Sequence, residues 1–116
     1  VRGIARDLAA AGIGKLKDLN YKKVKESFKS PITWKKEFQN KNLCPGVAGR
    51  YFKNVKNIES PKWLQDRLTA IGLRPISALV DITNYITFDL GRPLHVYDAD
   101  KVSGNLTMRL ANKNEE

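Results

Sequence analysis

Residues 74–98, RPISALVDITNYITFDLGRPLHVYD, impose more on the fold than any other part of this 116-residue chain. Arg74-Pro75 opens the stretch, Ile76, Leu79, Val80, Ile86 and Leu90 recur at helical spacing, and Gly91 offers a stop. The pattern predicts a helix starting near Pro75, while its many β-branched residues keep a strand open. Arg74 precedes a proline, which biases it toward extended backbone. A cation at a helix entrance also opposes the helix dipole, so helix stabilisation does not explain it. Beyond Gly91, residues 93–97 read as extended and carry His95, the only histidine. Asp98–Val102 then reads as a turn, and residues 105–111 alternate as a strand with Leu106, Met108 and Leu110 on one face.

The residues before this stretch supply its support. Ser60 has the chemistry of an N-cap and Pro61 suits the first helical position. Trp63, Leu64, Leu68 and Ile71 then form an expected buried face, and Gly72 ends the helix. Residues 2–12 predict another helix with Ile4, Leu8 and Ala11 on one face; it is too short to stand alone and must dock on something, either within this chain or upstream of Val1. Residues 13–30 form a basic connector, with Tyr21, Val24 and Phe28 as a thin apolar stripe. Residues 31–38 predict a strand, 39–46 a loop, and 47–58 a second strand. In that last segment Arg50, Lys53 and Lys56 interleave with aromatic and β-branched residues. Such a strand can track phosphates while stacking bases, or be an ordinary half-exposed strand. The expected class is α+β: a mixed sheet flanked by helices.

Charge is unevenly placed. Residues 15–57 hold twelve Lys/Arg against Asp18, Glu26 and Glu37, which accounts for +9; residues 1–14 add +1 and residues 58–116 contribute −1, giving the net +9. A localised basic block suits a polyanion such as nucleic acid, or is a solvated lysine-rich face. No apolar run nears the roughly 18 residues that span a bilayer, so no membrane partner is expected. One cysteine, Cys44, excludes an internal disulfide and fits a small buried residue in a reduced cytoplasmic protein. A single His and a single Cys make a zinc site unexpected. Asp81, Asp98 and Asp100 lack metal-ligand spacing and read as cap or turn residues. The absence of an initial Met and the Glu115-Glu116 end suggest a segment of a longer protein.

The run VDITNYITFDLGRPLHVYDADKVSG, residues 80–104, closely resembles the bacterial phenylalanine–tRNA ligase β-subunit family, with its VDVTNYV and LGQPMHAFD signatures. The resemblance extends through Pro61-Lys62-Trp63-Leu64, Arg67-Leu68 and Arg74, and back to Cys44-Pro45, Arg50-Tyr51 and Val55-Lys56-Asn57-Ile58. Arg92 and Leu94 depart from the usual glutamine and methionine, and residues 46–49 look like a small insertion. By this resemblance, residues 1–14 are the C-terminal helix of an N-terminal helical domain, 15–30 a basic linker, and 31–116 the first part of an editing domain.

The resemblance implies a part in charging tRNA(Phe) and in hydrolysing mischarged Tyr-tRNA(Phe). A pocket shaped for phenylalanine rejects an added hydroxyl only about a hundredfold, so a second, hydrolytic site is required. Arg74 and His95 are the implied catalytic residues of that site. Arginine holds a phosphate, ribose or carbonyl oxygen by charge-assisted bonds; histidine positions water or a ribose hydroxyl, or acts as a base. Thr83 and Asn84 are read as scaffold. The implied partners are tRNA(Phe) and the α subunit, in a heterotetramer of two α and two β subunits. ATP and Mg2+ are implied for the complete enzyme and no cofactor for this segment, which alone is expected to be inactive. The alternative is a non-enzymatic tRNA-binding or subunit-packing module of the same complex. A free-standing deacylase is disfavoured by the missing second half of the domain.

Overall fold

The computed structural model describes residues 1–40 and 43–115. In chain order they form α1 (Arg2–Ala10), β1 (Trp34–Glu37), α2 (Lys62–Ala70), α3 (Ala78–Leu90), a 3-10 turn (Ala99–Lys101) and β2 (Leu106–Arg109). They divide into a helical unit, Val1–Lys23 with Lys56–Val96, and a sheet unit, Val24–Val55 with the residues from Tyr97 onward. The α+β expectation holds at this level. No helix among the described residues is long and apolar enough to cross a membrane.

In the helical unit, α2 buries Leu64 and Leu68. Trp63 and Ile71, expected on the same buried face, are instead 55% and 47% exposed. At the end of α2, the Gly72 and Leu73 amides donate to the carbonyls of Thr69 and Leu68, both at 2.9 Å. That closure needs a left-handed residue, supplied by Gly72 at φ 81°. α1 ends by the same two-bond closure at Gly12 and Ile13.

The start of α2 corrects the expected cap. Pro61, not Ser60, is the N-cap residue, and no side chain caps the helix. Ser60 is buried and its hydroxyl donates to the Asp81 carboxylate. The demand of a buried charge for a donor outweighs the local capping bond. α3 begins at Ala78, three residues past the expected entrance, and ends at Gly91 in left-handed conformation. Its stripe of Leu79, Val80, Ile86 and Leu90 is half-buried, whereas Ile76 precedes the helix and is exposed. The first amides of α3 are satisfied from outside: Ala78 donates to the Ile58 carbonyl (2.8 Å) and Leu79 to Asn57 Oδ1 (3.1 Å). Thr83 donates back to the Val80 carbonyl at 2.7 Å, a scaffold role.

That use of Asn57 and Ile58 helps explain why 47–58 is not the expected strand. The segment is irregular, with Asn54 left-handed at φ 58°. A strand needs a neighbour along its length, and among the described residues β1 pairs only with β2. The sheet is therefore a parallel pair and not the mixed sheet expected. Its register places Trp34 opposite Leu106 and Lys36 opposite Met108. Asn105 fixes that register, its Oδ1 accepting from the Thr33 amide and hydroxyl, both at 2.9 Å. Leu106 and Met108 are half-buried as the alternation predicts; Leu110 lies past the strand and is exposed. Cys44 is half-buried, its Sγ 3.3 Å from Met108 Sδ. Asp98 caps the 3-10 turn by accepting from the Asp100 amide at 3.2 Å, in line with its reading as a cap residue.

Candidate functional site

Arg74 and His95 both belong to the helical unit and lie on opposite sides of α3 in sequence. Arg74 sits in the segment joining α2 to α3, and His95 in the irregular segment after Gly91. Both side chains are exposed. Arg74 makes no hydrogen bond or ion pair with any described residue, so the structure does not join the two by a direct bond.

The backbone around Arg74 is fixed on both sides. One residue earlier, the Leu73 amide donates to Leu68 of α2; two residues later, the Ile76 amide donates to Asp81 Oδ1 of α3, at 2.9 Å. Asp81 is wholly buried, and its second oxygen accepts from Ser60. One carboxylate thus ties three pieces of chain: the approach to α2, the Arg74 segment and the first turn of α3. Both oxygens have donors and the carboxyl lies near the positive end of α3, so it is accommodated with no ion-pair partner among the described residues. The guanidinium of Arg74 is left projecting from a short, pinned loop. That arrangement suits capture of an anionic or carbonyl oxygen, because little backbone freedom is lost on binding.

Arg67 has a different task. Its Nη1 donates to the Tyr85 hydroxyl at 2.7 Å, and its guanidinium stands 5.7 Å from the ring centres of both Trp63 and Tyr85. Those rings meet edge to face at 5.7 Å, which clamps α2 to α3. Among the described residues no group of three or more His, Cys, Asp or Glu side chains is placed to hold a metal ion.

Residues 43–116 match the family model of the B3/4 domain. The chain belongs to the B3/4 domain family. Similarity to individual proteins runs over the whole B3/4 segment and the residues before it. The phenylalanine–tRNA ligase β subunit of Paramagnetospirillum magneticum is 60% identical over 117 residues, covering 99% of this chain and 15% of the relative. The subunit of the same name from Rhodopseudomonas palustris is 61% identical over 115 residues, covering 99% and 14%. That of Bartonella henselae is 56% identical over 117 residues, covering 100% and 15%. The chain therefore spans about 15% of the length of these relatives. No solved structure gives a significant match. The likeness first read from residues 80–104 is thus matched along the full chain.

The sequence reading of this B3/4 segment missed the positioning part played by Asp81 and Ser60. A signal was present: Asp81 is a lone carboxylate between Val80 and Ile82, within an otherwise apolar helical stripe. A charge at such a place is there because donors meet it.

Proposed function

We propose that this chain is part of a phenylalanine–tRNA ligase β subunit, supporting aminoacylation of tRNA(Phe) and hydrolysis of mischarged Tyr-tRNA(Phe). The observation that carries this reading is the match of the whole chain, at 60% identity, to β subunits of that name. In this reading the segment works with an α subunit, in a heterotetramer of two α and two β subunits, in the cytoplasm. ATP and Mg2+ serve the complete enzyme, and no residue of this chain is assigned to either.

Arg74 and His95 are the residues proposed to line the editing pocket. Arg74, projecting from its pinned loop, holds a phosphate or the ester carbonyl oxygen of the terminal nucleotide and draws charge onto it. His95 orients a water molecule and accepts its proton as the water attacks the ester carbon. The bond from that carbon to the ribose oxygen then breaks, the ribose oxygen takes up a proton, and tyrosine and uncharged tRNA leave. The ester is already activated, so orientation and charge stabilisation suffice.

The test is tyrosine release from Tyr-tRNA(Phe) by the complete two-subunit enzyme, unmodified and with His95→Ala. The proposal expects release to fall by about 100-fold or more, the range of a lost general base, with phenylalanylation intact. Unchanged release would make His95 structural and would favour a tRNA-binding or subunit-packing module.

A further inference from the structure

Asp81 is a titratable group to which the proposed hydrolysis gives no part. It is wholly buried, and Ser60, whose hydroxyl donates to it, is 5% exposed. Burying a carboxylate is costly even when donors meet it, and an apolar side chain of similar size serves stability as well or better. Stability alone therefore does not account for an acid at this place. None of the ion pairs among the described residues includes Asp81 or Arg74, so no salt bridge joins the two.

What the acid does is local. Ser77 is the N-cap residue of α3, yet its side chain makes no capping bond, and the first amides go to Ile58 and Asn57. Asp81, on the first turn, reaches back past the cap to the Ile76 amide at 2.9 Å. An acid in a capping box takes the amide of the cap residue itself; here the bond falls one residue earlier, on the loop. Ser60 holds the second oxygen, which keeps the carboxylate from turning away from Ile76. On the other side, the Leu73 amide is tied to the Leu68 carbonyl at 2.9 Å. Only Arg74 and Pro75 lie between these two ties, and the φ of Pro75 is fixed by its ring. Arg74 thus keeps little backbone freedom while its side chain stays exposed.

We propose that Asp81, steadied by Ser60, is a positioning residue for hydrolysis of the mischarged ester and acts through Arg74. Its contribution is an accepting oxygen at the Ile76 amide, not its charge. This rests on the reading of Arg74 as a residue of the hydrolytic site. A guanidinium aimed at a phosphate or an ester carbonyl must be placed closely, because an error of about 1 Å costs up to about 100-fold in rate. Asparagine has the shape of aspartate and offers the same accepting oxygen to Ile76. Its amide donates to the Ser60 oxygen, since a hydroxyl accepts as well as donates. Alanine offers neither.

The experiment measures kcat and KM for tyrosine release from Tyr-tRNA(Phe) by the complete two-subunit enzyme. The variants are Asp81→Ala, Asp81→Asn, Arg74→Ala, and Asp81→Ala combined with Arg74→Ala. Asp81→Ala is expected to impair release about tenfold, in whichever of kcat and KM Arg74→Ala changes. Asp81→Asn should stay within about twofold of the unmodified enzyme, its oxygen still accepting from Ile76. In the Arg74→Ala background, Asp81→Ala should cost less than about twofold more, because nothing is left to position. A residue that only stabilises the unit would act equally in both backgrounds. If the Asp81→Ala enzyme does not fold, by circular dichroism, Ser60→Ala takes its place in the cycle. There the carboxylate stays and loses one tie, and a loss of about fivefold is expected, roughly one hydrogen bond, again absent without Arg74. With release impaired in Arg74→Ala, three results would overturn the proposal and leave the hydrolytic reading standing: full additivity of the pair, unimpaired release by Asp81→Ala, or an Asp81→Asn enzyme as impaired as Asp81→Ala. Unchanged release by Arg74→Ala would instead overturn the reading of Arg74, and this proposal with it.

Discussion

In the helical unit Leu64 and Leu68 keep 1% of their surface exposed and Asp81 keeps none, whereas in the sheet unit no described residue is buried to that degree. The first is held by apolar burial, about 1.5–3 kcal/mol for each such leucine, around a carboxylate with donors on both oxygens. The second is held by a parallel pair of four-residue strands, the Asn105 bonds to Thr33, and ion pairs on the surface. A two-stranded sheet is marginal by itself. The difference bears on function as well as stability. A pinned loop such as the one carrying Arg74 needs a stiff support, and in this chain it is attached to the unit that has one.

The sharpest way to break this comparison is to remove the apolar core. Leu68→Ala should cost about 2–5 kcal/mol in urea unfolding, read by far-UV circular dichroism of the helices. A cost below about 1 kcal/mol would mean that burial is not what holds α2 and α3 together. Next in size is Asp81→Ala, which orphans the buried Ser60 hydroxyl at a cost of about 1–3 kcal/mol and frees the part-buried Ile76 amide at a smaller one. Its more specific effect is on the Arg74 loop: hydrogen exchange at the Ile76 amide should quicken by at least tenfold, while that at Leu73, bonded to Leu68, slows or holds. Equal quickening at both amides would mean that Asp81 supports the whole unit and not this loop in particular.

The two units also differ in how far the sequence disclosed them. α2 and α3 were legible because their signals are local: leucines at positions 64 and 68 share one face, and Gly72 and Gly91 stop the helices without reference to anything distant. What was not legible depended on partners far along the chain. Ser60 looks like a cap until Asp81, 21 residues later, claims its hydroxyl. Residues 47–58 carry strand-forming side chains, yet their end is committed to the first turn of α3 and no strand among the described residues pairs with them. The short strands were found where alternation was strong, at Leu106 and Met108, but their parallel pairing is a long-range fact that alternation cannot specify. Of the candidate site, Arg74 and His95 were singled out by family resemblance, and the local pattern contributed only the extended, pre-proline setting of Arg74. The loop-pinning bond from Asp81 was unreadable because a carboxylate in a helix is compatible with solvent, a cap or burial until its neighbours are known.

A smaller effect sharpens the account of the sheet unit. A Cβ at Gly49 would collide with Nε1 of Trp34 and lie 3.0 Å from its Cδ1. Gly49→Ala should therefore force the indole to move, at about 1–3 kcal/mol. In a Trp63→Phe background, which leaves Trp34 as the only indole, the emission of Trp34 should shift. An unmoved emission and unchanged stability would mean that residue 49 and β1 are not packed together as described.

The smallest expected effect concerns the end of the sheet unit. Glu115 bonds through its carboxylate to the Arg109 guanidinium and also accepts from the Asn112 amide at 2.7 Å. The Arg109 bond first, and the amide second, lower its pKa from 4.5 to about 2. A carboxyl lowered in the folded state adds stability that is fully present above its unfolded value and is lost as pH falls through the folded one, here between 4.5 and about 2. The side chains of Arg109 and Glu115 are 38% and 36% exposed, so salt screens the attraction and the gain is small. A carbon-13 titration of the Glu115 carboxyl should show a midpoint near 2 that climbs toward 4.5 in Arg109→Ala. If the midpoint stays near 2 without Arg109, the Asn112 amide is what holds the charge, and the chain end is fixed by its own turn. If it climbs, the end of the sheet unit is tied to β2 by a surface ion pair, a hold that weakens with acid or salt, as burial of Leu64 and Leu68 does not.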